Sequence, residues 1–374
     1  MEYRRLGRTG LEVSAVSLGT EYLIDISRGN VVSVIHEAVD RGVNYFDLFF
    51  AQPKFRDNMG AAFAGRRDKV LLTVHLGSTD RSGQYEKTRD SRLAEEFFED
   101  ALRRYRTDHF DVVYLHNSDS AEDFEALTAD GGLLDIAKRL TRDGKARFVG
   151  LSSHTIPTAT RAVESGEVDV VMFPINIAGN AVPGKRDFLA KCARRDVGLV
   201  AMKPYAGGKL LTAHRKVTLE NWSSGGGDIE VEKTVSLTPV QCLAYVLAQT
   251  GISTVVPGCK DLAELDAALS YLSAADDEKD YSAALAGFQK YVEGECVYCN
   301  HCLPCPSKVD IGATIRLFEM SGGVLSAKMK ALYNKLPAKA SECVECGECS
   351  SRCPFGVDVV GKIRAAAEVF EPSK

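Results

Sequence analysis

Short apolar runs alternate with longer amphipathic segments along the first 285 residues. The runs that predict β-strands are Val13–Gly19, Asn44–Asp47, Val70–Val74, Phe110–Leu115, Ala146–Leu151, Val168–Phe173, Gly198–Met202 and Thr254–Val256. Helical patterns follow many of them, for instance Val31–Arg41, Arg92–Tyr105, Pro157–Ser165 and Pro239–Gln249. Alternation of strand and helix implies parallel pairing, and near-continuous apolar strands imply burial on both faces. Eight such units predict a (β/α)8 TIM barrel. The alternative, a doubly wound sheet, more often has about five to seven strands. A Rossmann fold would also need a GxGxxG loop, and none follows the first predicted strand.

The C-terminal segment has a different pattern, set by cysteine. Eight of the 11 cysteines form two runs, Cys296-x2-Cys299-x2-Cys302-x2-Cys305-Pro306 and Cys343-x2-Cys346-x2-Cys349-x3-Cys353-Pro354. Two residues between cysteines let successive thiolates turn around one cubane, and in two-cluster bacterial ferredoxins the fourth cysteine ligates the other cluster. The expected ligand sets of two [4Fe–4S] clusters are therefore Cys296, Cys299, Cys302 and Cys353, and Cys343, Cys346, Cys349 and Cys305. A pair of zinc sites is the alternative, but zinc ribbons usually use two separated CxxC pairs.

Between the cysteine runs, Gly312 to Lys335 has apolar residues at helical spacing around Gly322-Gly323, which predicts two short helices. We therefore expect an α-helical, ferredoxin-like iron–sulfur domain over residues 286–374, following a barrel over residues 1–285.

Composition and charge narrow the class of function. The chain has 374 residues, of which 45% are apolar and 26% charged, as expected for a globular protein with a substantial core. A net charge of −5 without a long basic run disfavours binding to nucleic acid or to a membrane surface. No secretory h-region and no run of about 20 apolar residues is present. We expect a cytoplasmic protein, in which clustered cysteines bind metal and do not form disulfides.

Polar residues at the C-terminal ends of the predicted strands are the candidates for chemistry, because barrel active sites lie there. They are Asp47, His75, His116, Ser152, Ser153, His154, Asn176, Lys203 and Tyr205. Two histidines at successive strand ends beside an aspartate suit proton transfer, because an adjacent carboxylate favours a protonated imidazole. The alternative for each histidine alone is a hydrogen-bonded core residue.

Several segments resemble the aldo-keto reductase family, namely LGRTGLEVSAVSLGT, DRGVNYFD, DVVYLHNSD, GKARFVGLSSH, GLVAMKPYAGGKL and STVVPG. The likeness extends from Met1 to about Leu272, and with the cysteine-rich tail the chain resembles the ferredoxin-fused branch of that family. The resemblance implies a barrel oxidoreductase with an Asp, Tyr, Lys and His tetrad, in which the tyrosine protonates the substrate carbonyl.

Two positions of that tetrad are changed in this chain. Asp47 and His116 occupy the aspartate and histidine positions, whereas Gln52 stands at the tyrosine position and His75 at the lysine position. Glutamine has no titratable proton and cannot act as a general acid. No tyrosine lies between Tyr45 and Tyr85, so we expect Asp47, His75 and His116 to be the catalytic group.

The positions that the family uses for nicotinamide are altered as well. Ser152-Ser153 replaces a Ser-Asn pair, Met172 replaces a glutamine, and Ala267-Ala268 replaces the Glu-Asn pair that holds adenine. These changes disfavour tight NADPH binding, and no motif indicates a flavin, although a flavin could mediate between one-electron and two-electron steps. The candidate cofactor-binding residues are Ser152, Ser153, Asn176, Lys203 and Lys260, and the candidate substrate contacts are Tyr22, Phe49, Gln52, His154 and Tyr205.

These features predict an iron–sulfur oxidoreductase that passes electrons from two clusters to a small organic substrate at the barrel mouth. The reaction would be reduction of C=O or C=C, or reductive elimination, with protons from histidine and an external low-potential electron donor or acceptor, in an anaerobic setting. One alternative is an NADPH-dependent carbonyl reductase with a modified proton donor. Another is a non-catalytic electron carrier.

Overall fold

The computed structural model describes residues 1–81, 83–180, 182–212, 216–219, 229–232, 236–282, 284, 296, 302–321, 325, 327–353 and 356–372. The chain divides into two compact units. The first comprises Met1–Ile177, Gly184–His214 and Ser236–Ala283, and the second comprises Ala178–Pro183, Arg215–Val235 and Ala284–Lys374. Among the described residues, no helix is long and apolar enough to span a bilayer.

The strands are β1 (Tyr3–Arg5), β2 (Glu12–Ser14), β3 (Leu18–Gly19), β4 (Tyr45–Asp47), β5 (Leu71–Leu76), β6 (Ser78–Arg81), β7 (Gln84–Lys87), β8 (Phe110–Leu115), β9 (Ala146–Ser152), β10 (Val170–Pro174), β11 (Gly198–Met202), β12 (Lys216–Leu219), β13 (Ile229–Glu232) and β14 (Ile252–Val256). The helices of the first unit are α1 (Arg28–Asp40), α2 (Pro53–Ala62), α3 (Ser91–Tyr105), α4 (Ala121–Thr128), α5 (Leu133–Arg142), α6 (Ile156–Ser165), α7 (Lys185–Arg194), α8 (Pro239–Leu247) and α9 (Leu262–Leu269). Those of the second unit are α10 (Ile311–Ser321), α11 (Ala327–Asn334), α12 (Glu348–Arg352) and α13 (Val359–Phe370). Short 3-10 turns cover Gly7–Thr9, Glu21–Leu23, Arg67–Lys69, Ile177–Gly179, Lys209–Leu211, Ser270–Leu272 and Ala340–Glu342.

The first unit is built on eight parallel strands, which confirms the predicted (β/α)8 barrel. The strand order is β14-β11-β10-β9-β8-β5-β4-β3. Parallel bridges from Val16 to Val255 and from Gly19 to Gly258 bring the two outer strands of this order together. The barrel strands are apolar and buried on both faces, as a sheet covered by helices requires.

The predicted first strand, Val13–Gly19, is two elements in the structure. Its beginning belongs to β2, which pairs antiparallel with β1, and only Leu18–Gly19 enters the barrel as β3. The side chains of Leu6, Leu11 and Val13 pack against barrel residues that include Tyr45 and Tyr114. The hairpin of β1 and β2 therefore packs its apolar side chains into the barrel core. For this reason its residues form an element of their own and do not continue into the barrel strand β3.

The second unit has its own apolar core, to which Ile315, Tyr333, Ile363 and Phe370 contribute. The rings of Tyr333 and Phe370 stack with their centroids 4.4 Å apart. Helices α10 and α11 lie between the two cysteine runs, which confirms the two predicted helices. Gly322 and Gly323, the predicted break between them, lie outside the described residues.

Candidate active site and cluster site

Three adjacent strands bring one carboxylate and two imidazoles together at their C-terminal ends. Asp47 is the last residue of β4, His75 is the penultimate residue of β5, and His116 directly follows β8. Strand β5 lies between β4 and β8 in the sheet. Because neighbouring parallel strands end at the same rim of the barrel, the three side chains converge there. All three residues are buried.

These side chains are linked by hydrogen bonds. His75 Nε2 lies 2.9 Å from Asp47 Oδ1, and His75 Nδ1 lies 2.9 Å from His116 Nδ1. Thr73 Oγ1 donates a hydrogen bond of 3.1 Å to the same oxygen of Asp47. An ionised carboxylate only accepts hydrogen bonds, so His75 carries a proton on Nε2. A neutral His75 then accepts at Nδ1, and His116 must donate from Nδ1.

A tyrosine that the sequence analysis did not assign extends this group. Tyr85 lies on β7, in the β6–β7 hairpin that follows β5, and its hydroxyl oxygen lies 2.6 Å from His116 Nε2. We refer to Asp47, His75, His116 and Tyr85 as the histidine chain. The Ser82-Gly83 dipeptide between two polar runs was a sequence signal for a turn. Nothing local in the sequence indicates that this turn places Tyr85 against His116.

The hairpin is tied to the segment that carries His116. Arg89 donates from Nε to Asp123 Oδ1 at 2.7 Å and from Nη2 to Asp123 Oδ2 at 2.6 Å. It also donates from Nη2 to the Asn117 carbonyl oxygen at 3.0 Å. Asp123 lies in the first turn of α4, and the side chains of both ion-pair partners are 18% exposed. A bidentate pair of this kind has a defined geometry, so it fixes where the hairpin ends relative to His116.

Burial determines the protonation states at the outer end of the histidine chain. Burial lowers the pKa of His116 well below its usual value, and positive charge on His75, Arg89 or Lys87 lowers it further. Burial raises the pKa of Tyr85, against smaller opposing effects of Asn117 and Arg89. At neutral pH His116 is therefore uncharged and Tyr85 carries its proton.

Aromatic rings surround the outer end of the histidine chain. The Phe49 ring stacks on His116 with centroids 6.0 Å apart and an interplanar angle of 13°. Tyr85 meets Phe49 edge-on at 6.1 Å and Phe50 at 6.5 Å. Phe49, a predicted substrate contact, thus lies beside His116 and Tyr85. A lining of this kind suits a flat or apolar substrate.

The polar residues after β9 are hydrogen-bonded to the loop that follows His116. Ser152 Oγ accepts a hydrogen bond of 2.9 Å from the Asn117 amide, and Ser153 Oγ donates to Asp119 Oδ1 at 3.3 Å. His154 Nδ1 lies 3.0 Å from Asp119 Oδ2. The structure therefore places these predicted residues at the same rim as His116.

The remaining predicted contacts lie in several places on the first unit. Asn176 Nδ2 donates to the Lys203 carbonyl oxygen at 3.1 Å. Tyr22 is 46% exposed, and its ring lies against Gly258. Lys260 is exposed and forms an ion pair of 2.8 Å with Glu264, one helical turn along.

Two predicted substrate contacts have polar atoms that are buried without a partner. Among the described residues, Gln52 Oε1 and the Tyr205 hydroxyl find no hydrogen bond. Gln52 precedes the first residue of α2, directly after the segment of Phe49 and Phe50. An unpaired buried polar atom is unfavourable, so either group would gain from a polar atom of a bound molecule.

In the second unit, four predicted cluster ligands line one cavity. Cys343, Cys346 and Cys349 come from the second cysteine run, and Cys305 is the last cysteine of the first run. The remaining wall is largely aliphatic and includes Val309, Ile311, Val344, Val360 and Ile363. Thiols set in an apolar wall match the requirements of an iron–sulfur cubane. This lining brings together the expected second ligand set.

The other expected ligand set is described in part. Cys296, Cys302 and Cys353 belong to or pack against the apolar core of the second unit, whereas Cys299 lies outside the described residues. All cysteines that the structure describes are free thiols. Within the described residues, no three Cys, His, Asp or Glu side chains could hold a single metal ion. The four cysteines therefore lie around the wall of the cavity and are not close enough together to bind one metal ion.

Comparison with known proteins matches both units to families. Residues 15–284 match the model of the aldo/keto reductase family, and residues 295–358 match a 4Fe-4S dicluster domain. Relatives include "Uncharacterized oxidoreductase YqkF" of Bacillus subtilis, 22% identical over 71% of this chain and 89% of its own. L-galactose dehydrogenase of Arabidopsis thaliana is 23% identical over 71% of this chain and 86% of its own.

A solved structure shares the fold of the first unit. Aldo-keto reductase AKR11C1 from Bacillus halodurans, in its holo form, superposes with a TM-score of 0.59 at 21% sequence identity. The match covers 78% of this chain and 96% of that one.

Proposed function

The chain belongs to the aldo/keto reductase family, and on that premise we propose that it reduces a small organic substrate at the barrel mouth, with protons from His75 and His116 and electrons from two [4Fe–4S] clusters. It is an oxidoreductase with a C-terminal 4Fe-4S dicluster domain. The observation that carries the proposal is the buried, hydrogen-bonded group of Asp47, His75 and His116, in which His75 stands at the lysine position of the family tetrad.

The histidine pair is suited to hold a proton and to pass it on. Asp47 orients His75 through Nε2, and the contact between the two Nδ1 atoms lets a proton move to His116. A carbonyl, an activated C=C bond or a departing hydroxyl group needs a proton as it is reduced. These are the reaction classes that we propose.

The second unit supplies the ligands for the clusters. Cys305 and the three cysteines that share its cavity would hold one cluster, and Cys296, Cys299, Cys302 and Cys353 would hold the other. The presence of Cys305 in the cavity of the second run supports this exchange of the fourth ligands. When bound, the clusters supply single electrons at a potential set by their ligands and surroundings. An external low-potential donor or acceptor is the expected partner.

The residues at the nicotinamide positions support an electron source other than NADPH. Ser152 and Ser153 use their hydroxyl groups within the protein, on Asn117 and Asp119. Lys260, a candidate cofactor-binding residue, is paired with Glu264. A nicotinamide or phosphate group would have to replace these interactions.

A conventional NADPH-dependent carbonyl reductase is the second candidate, and Tyr85 favours it. Its hydroxyl, 2.6 Å from His116, provides the phenol that Gln52 cannot provide. In this case the clusters would be an additional electron outlet.

Reductant titration of the anaerobically purified holoprotein separates the two candidates. We expect titanium(III) citrate to bleach the visible absorbance of the clusters and NADPH to leave it unchanged. Reduction of benzaldehyde by NADPH at full rate in Cys343→Ala would contradict the cluster-fed reaction and favour the second candidate. Cys192→Ala, in the buried core of the first unit, is the matched control.

The role of the histidines is tested by the rate at which the reduced clusters are reoxidised. With benzaldehyde and cinnamaldehyde as probe acceptors, His75→Ala should keep its iron and slow reoxidation by about 10²-fold or more. His109→Gln is the control, because His109 precedes β8 at the opposite end of the strand from His116. Equal rates in the two variants would remove the histidine pair from the reaction.

A further inference from the structure

We propose that Tyr85 exchanges the proton with the substrate, and that one proton added to the histidine pair reverses every hydrogen bond between His75 and Tyr85. This inference rests on the proposed function, in which the histidine pair supplies protons. It places the last proton donor on the β6–β7 hairpin, which follows a different strand from Gln52.

When the histidine chain is uncharged, each of its hydrogen bonds is donated in the direction of Asp47. His75 donates from Nε2 to Asp47 and accepts at Nδ1 from His116. His116 then has no proton on Nε2 and must accept there from Tyr85. The Tyr85 hydrogen is therefore directed at His116, and its oxygen offers only lone pairs to the mouth of the barrel. In this form Tyr85 can receive a proton but not give one.

One added proton reverses these bonds. When His75 carries protons on both nitrogens, it donates to Asp47 and also to His116 Nδ1. His116 now carries its proton on Nε2 and donates to the Tyr85 oxygen. The Tyr85 hydrogen is then free to point at a substrate atom. The three heavy-atom distances stay as they are, so the reversal requires movement of protons only.

The transfer step balances along the histidine chain. Reduction of C=O or C=C takes up two electrons, which come from the iron–sulfur donor of the proposed function, and two protons, which Tyr85 delivers one at a time. In each transfer the O–H bond of Tyr85 breaks and its proton bonds to the substrate atom that has become electron-rich. The proton on His116 Nε2 moves to the Tyr85 oxygen, and the proton on His75 Nδ1 moves to His116 Nδ1. After the transfer the histidine chain is uncharged, and its hydrogen bonds are again donated in the direction of Asp47. It regains a proton through the partly exposed Tyr85.

Charges on all neighbouring elements decide which imidazole holds the added proton. The titratable and charged groups around the two imidazoles, or paired with their neighbours, are Asp47 on β4, Tyr85 and Lys87 on β7, Arg89 after β7, Asp119 and Asp123 after β8, and His154 after β9. Burial and the cations Lys87, Arg89 and His154 oppose a charge on His116. Asp47 contacts His75 alone of the two imidazoles. The charge therefore resides on His75.

Packing does not account for the Tyr85 hydroxyl. The Tyr85 ring meets Phe49 and Phe50 through edge contacts that a phenylalanine would also make. The residue is 39% exposed, so a molecule in the barrel mouth can approach its oxygen. Its hydroxyl oxygen, 2.6 Å from His116 Nε2, thus joins the buried imidazoles to a partly exposed residue.

Histidine ¹⁵N NMR of the oxidised holoprotein tests the direction of the bonds without any substrate. At alkaline pH we expect the proton of His116 on Nδ1 and that of His75 on Nε2. On acidification His75 should gain a second proton while the proton of His116 moves to Nε2. Tyr85→Phe should shift the His116 Nε2 resonance toward that of a nitrogen without a hydrogen bond. Tyr3→Phe, which removes a distant hydroxyl bonded to the Gly42 carbonyl, should not.

Two results would overturn the inference. A His116 proton on Nε2 at alkaline pH would show that Tyr85 does not donate to it, and a His116 tautomer that stays unchanged on acidification would exclude the reversal. Neither measurement depends on the electron source, which the reductant titration tests separately.

A kinetic comparison tests the role of Tyr85 as donor. With whichever probe aldehyde reoxidises the clusters faster, Tyr85→Phe should lower kcat by about 10²–10⁴-fold at nearly constant KM and change the pH profile. A higher KM at unchanged kcat would mean that Tyr85 only packs against the substrate.

Discussion

The position of Tyr85 depends on the ion pair of Arg89 with Asp123, so Arg89→Met should loosen the β6–β7 hairpin. The variant loses two short hydrogen bonds to a carboxylate and one of 3.0 Å to the Asn117 carbonyl. Exposed ion pairs contribute about 0–1 kcal/mol, and breaking a fully buried one costs about 3–5 kcal/mol. With both side chains 18% exposed, this pair lies between these limits, at about 2 kcal/mol. That value corresponds to a roughly 30-fold larger opening constant.

Hydrogen exchange of the peptide that contains Gln84–Lys87, followed by mass spectrometry, measures this opening directly. Arg89→Met should exchange there roughly 30-fold faster than the unmodified protein. Arg139→Met is the control, because its pair with Glu95 has side chains that are 44% and 38% exposed. If the two variants exchange alike at the hairpin, Arg89 does not hold it, and the position of Tyr85 has another cause.

Three further perturbations test other parts of the structure. Cys305→Ala should lose roughly half of the bound iron, measured by iron analysis of anaerobically purified protein, whereas Cys192→Ala should lose none; full iron in Cys305→Ala would exclude Cys305 as a ligand. Lys185 is buried, which lowers its pKa to about 7, and in the unfolded chain a lysine has a pKa of about 10.4. The unfolded state therefore binds more protons between these two pKa values, and the free energy of unfolding should rise with pH across that window. Lys185→Met should remove this rise in urea unfolding at about pH 7.5 and about pH 9.5, and an unchanged slope would assign it to other groups. Gly60→Ala would place a Cβ 1.9 Å from the Arg104 carbonyl oxygen and should destabilise the protein by about 1–3 kcal/mol, seen as a lower urea midpoint; an unchanged midpoint would mean that α2 shifts freely against α3.

The barrel could be predicted from the sequence because its strands are buried on both faces. Such strands are short and continuously apolar, and the helices between them have a periodic apolar face. Predicted strands Phe110–Leu115 and Gly198–Met202 have the same bounds in the structure. The β6–β7 hairpin was missed because STDR and QYEK are polar, and a polar hairpin leaves no apolar period to detect.

The candidate site was predictable only as far as strand ends define it. Asp47, His75 and His116 each lie at the end of a predicted strand, and parallel pairing brings such ends to one rim. The order of their hydrogen bonds was not predictable, because it depends on side-chain directions at three strands.

The sequence by itself determined the features that depend on residues close together in the chain. The alternation of strands and helices and the two cysteine runs are of this kind, since spacing alone sets which face a side chain occupies and which thiolates can turn around one centre. Only the tertiary structure decided which distant groups meet. Tyr85 reaches His116 across 31 residues, and Cys305 joins the cavity of a run that begins at Cys343. The physical reason is that the entropic cost of closing a loop depends only weakly on the length of the loop. Chain distance therefore does not decide which residues meet, and the packing of the whole unit does.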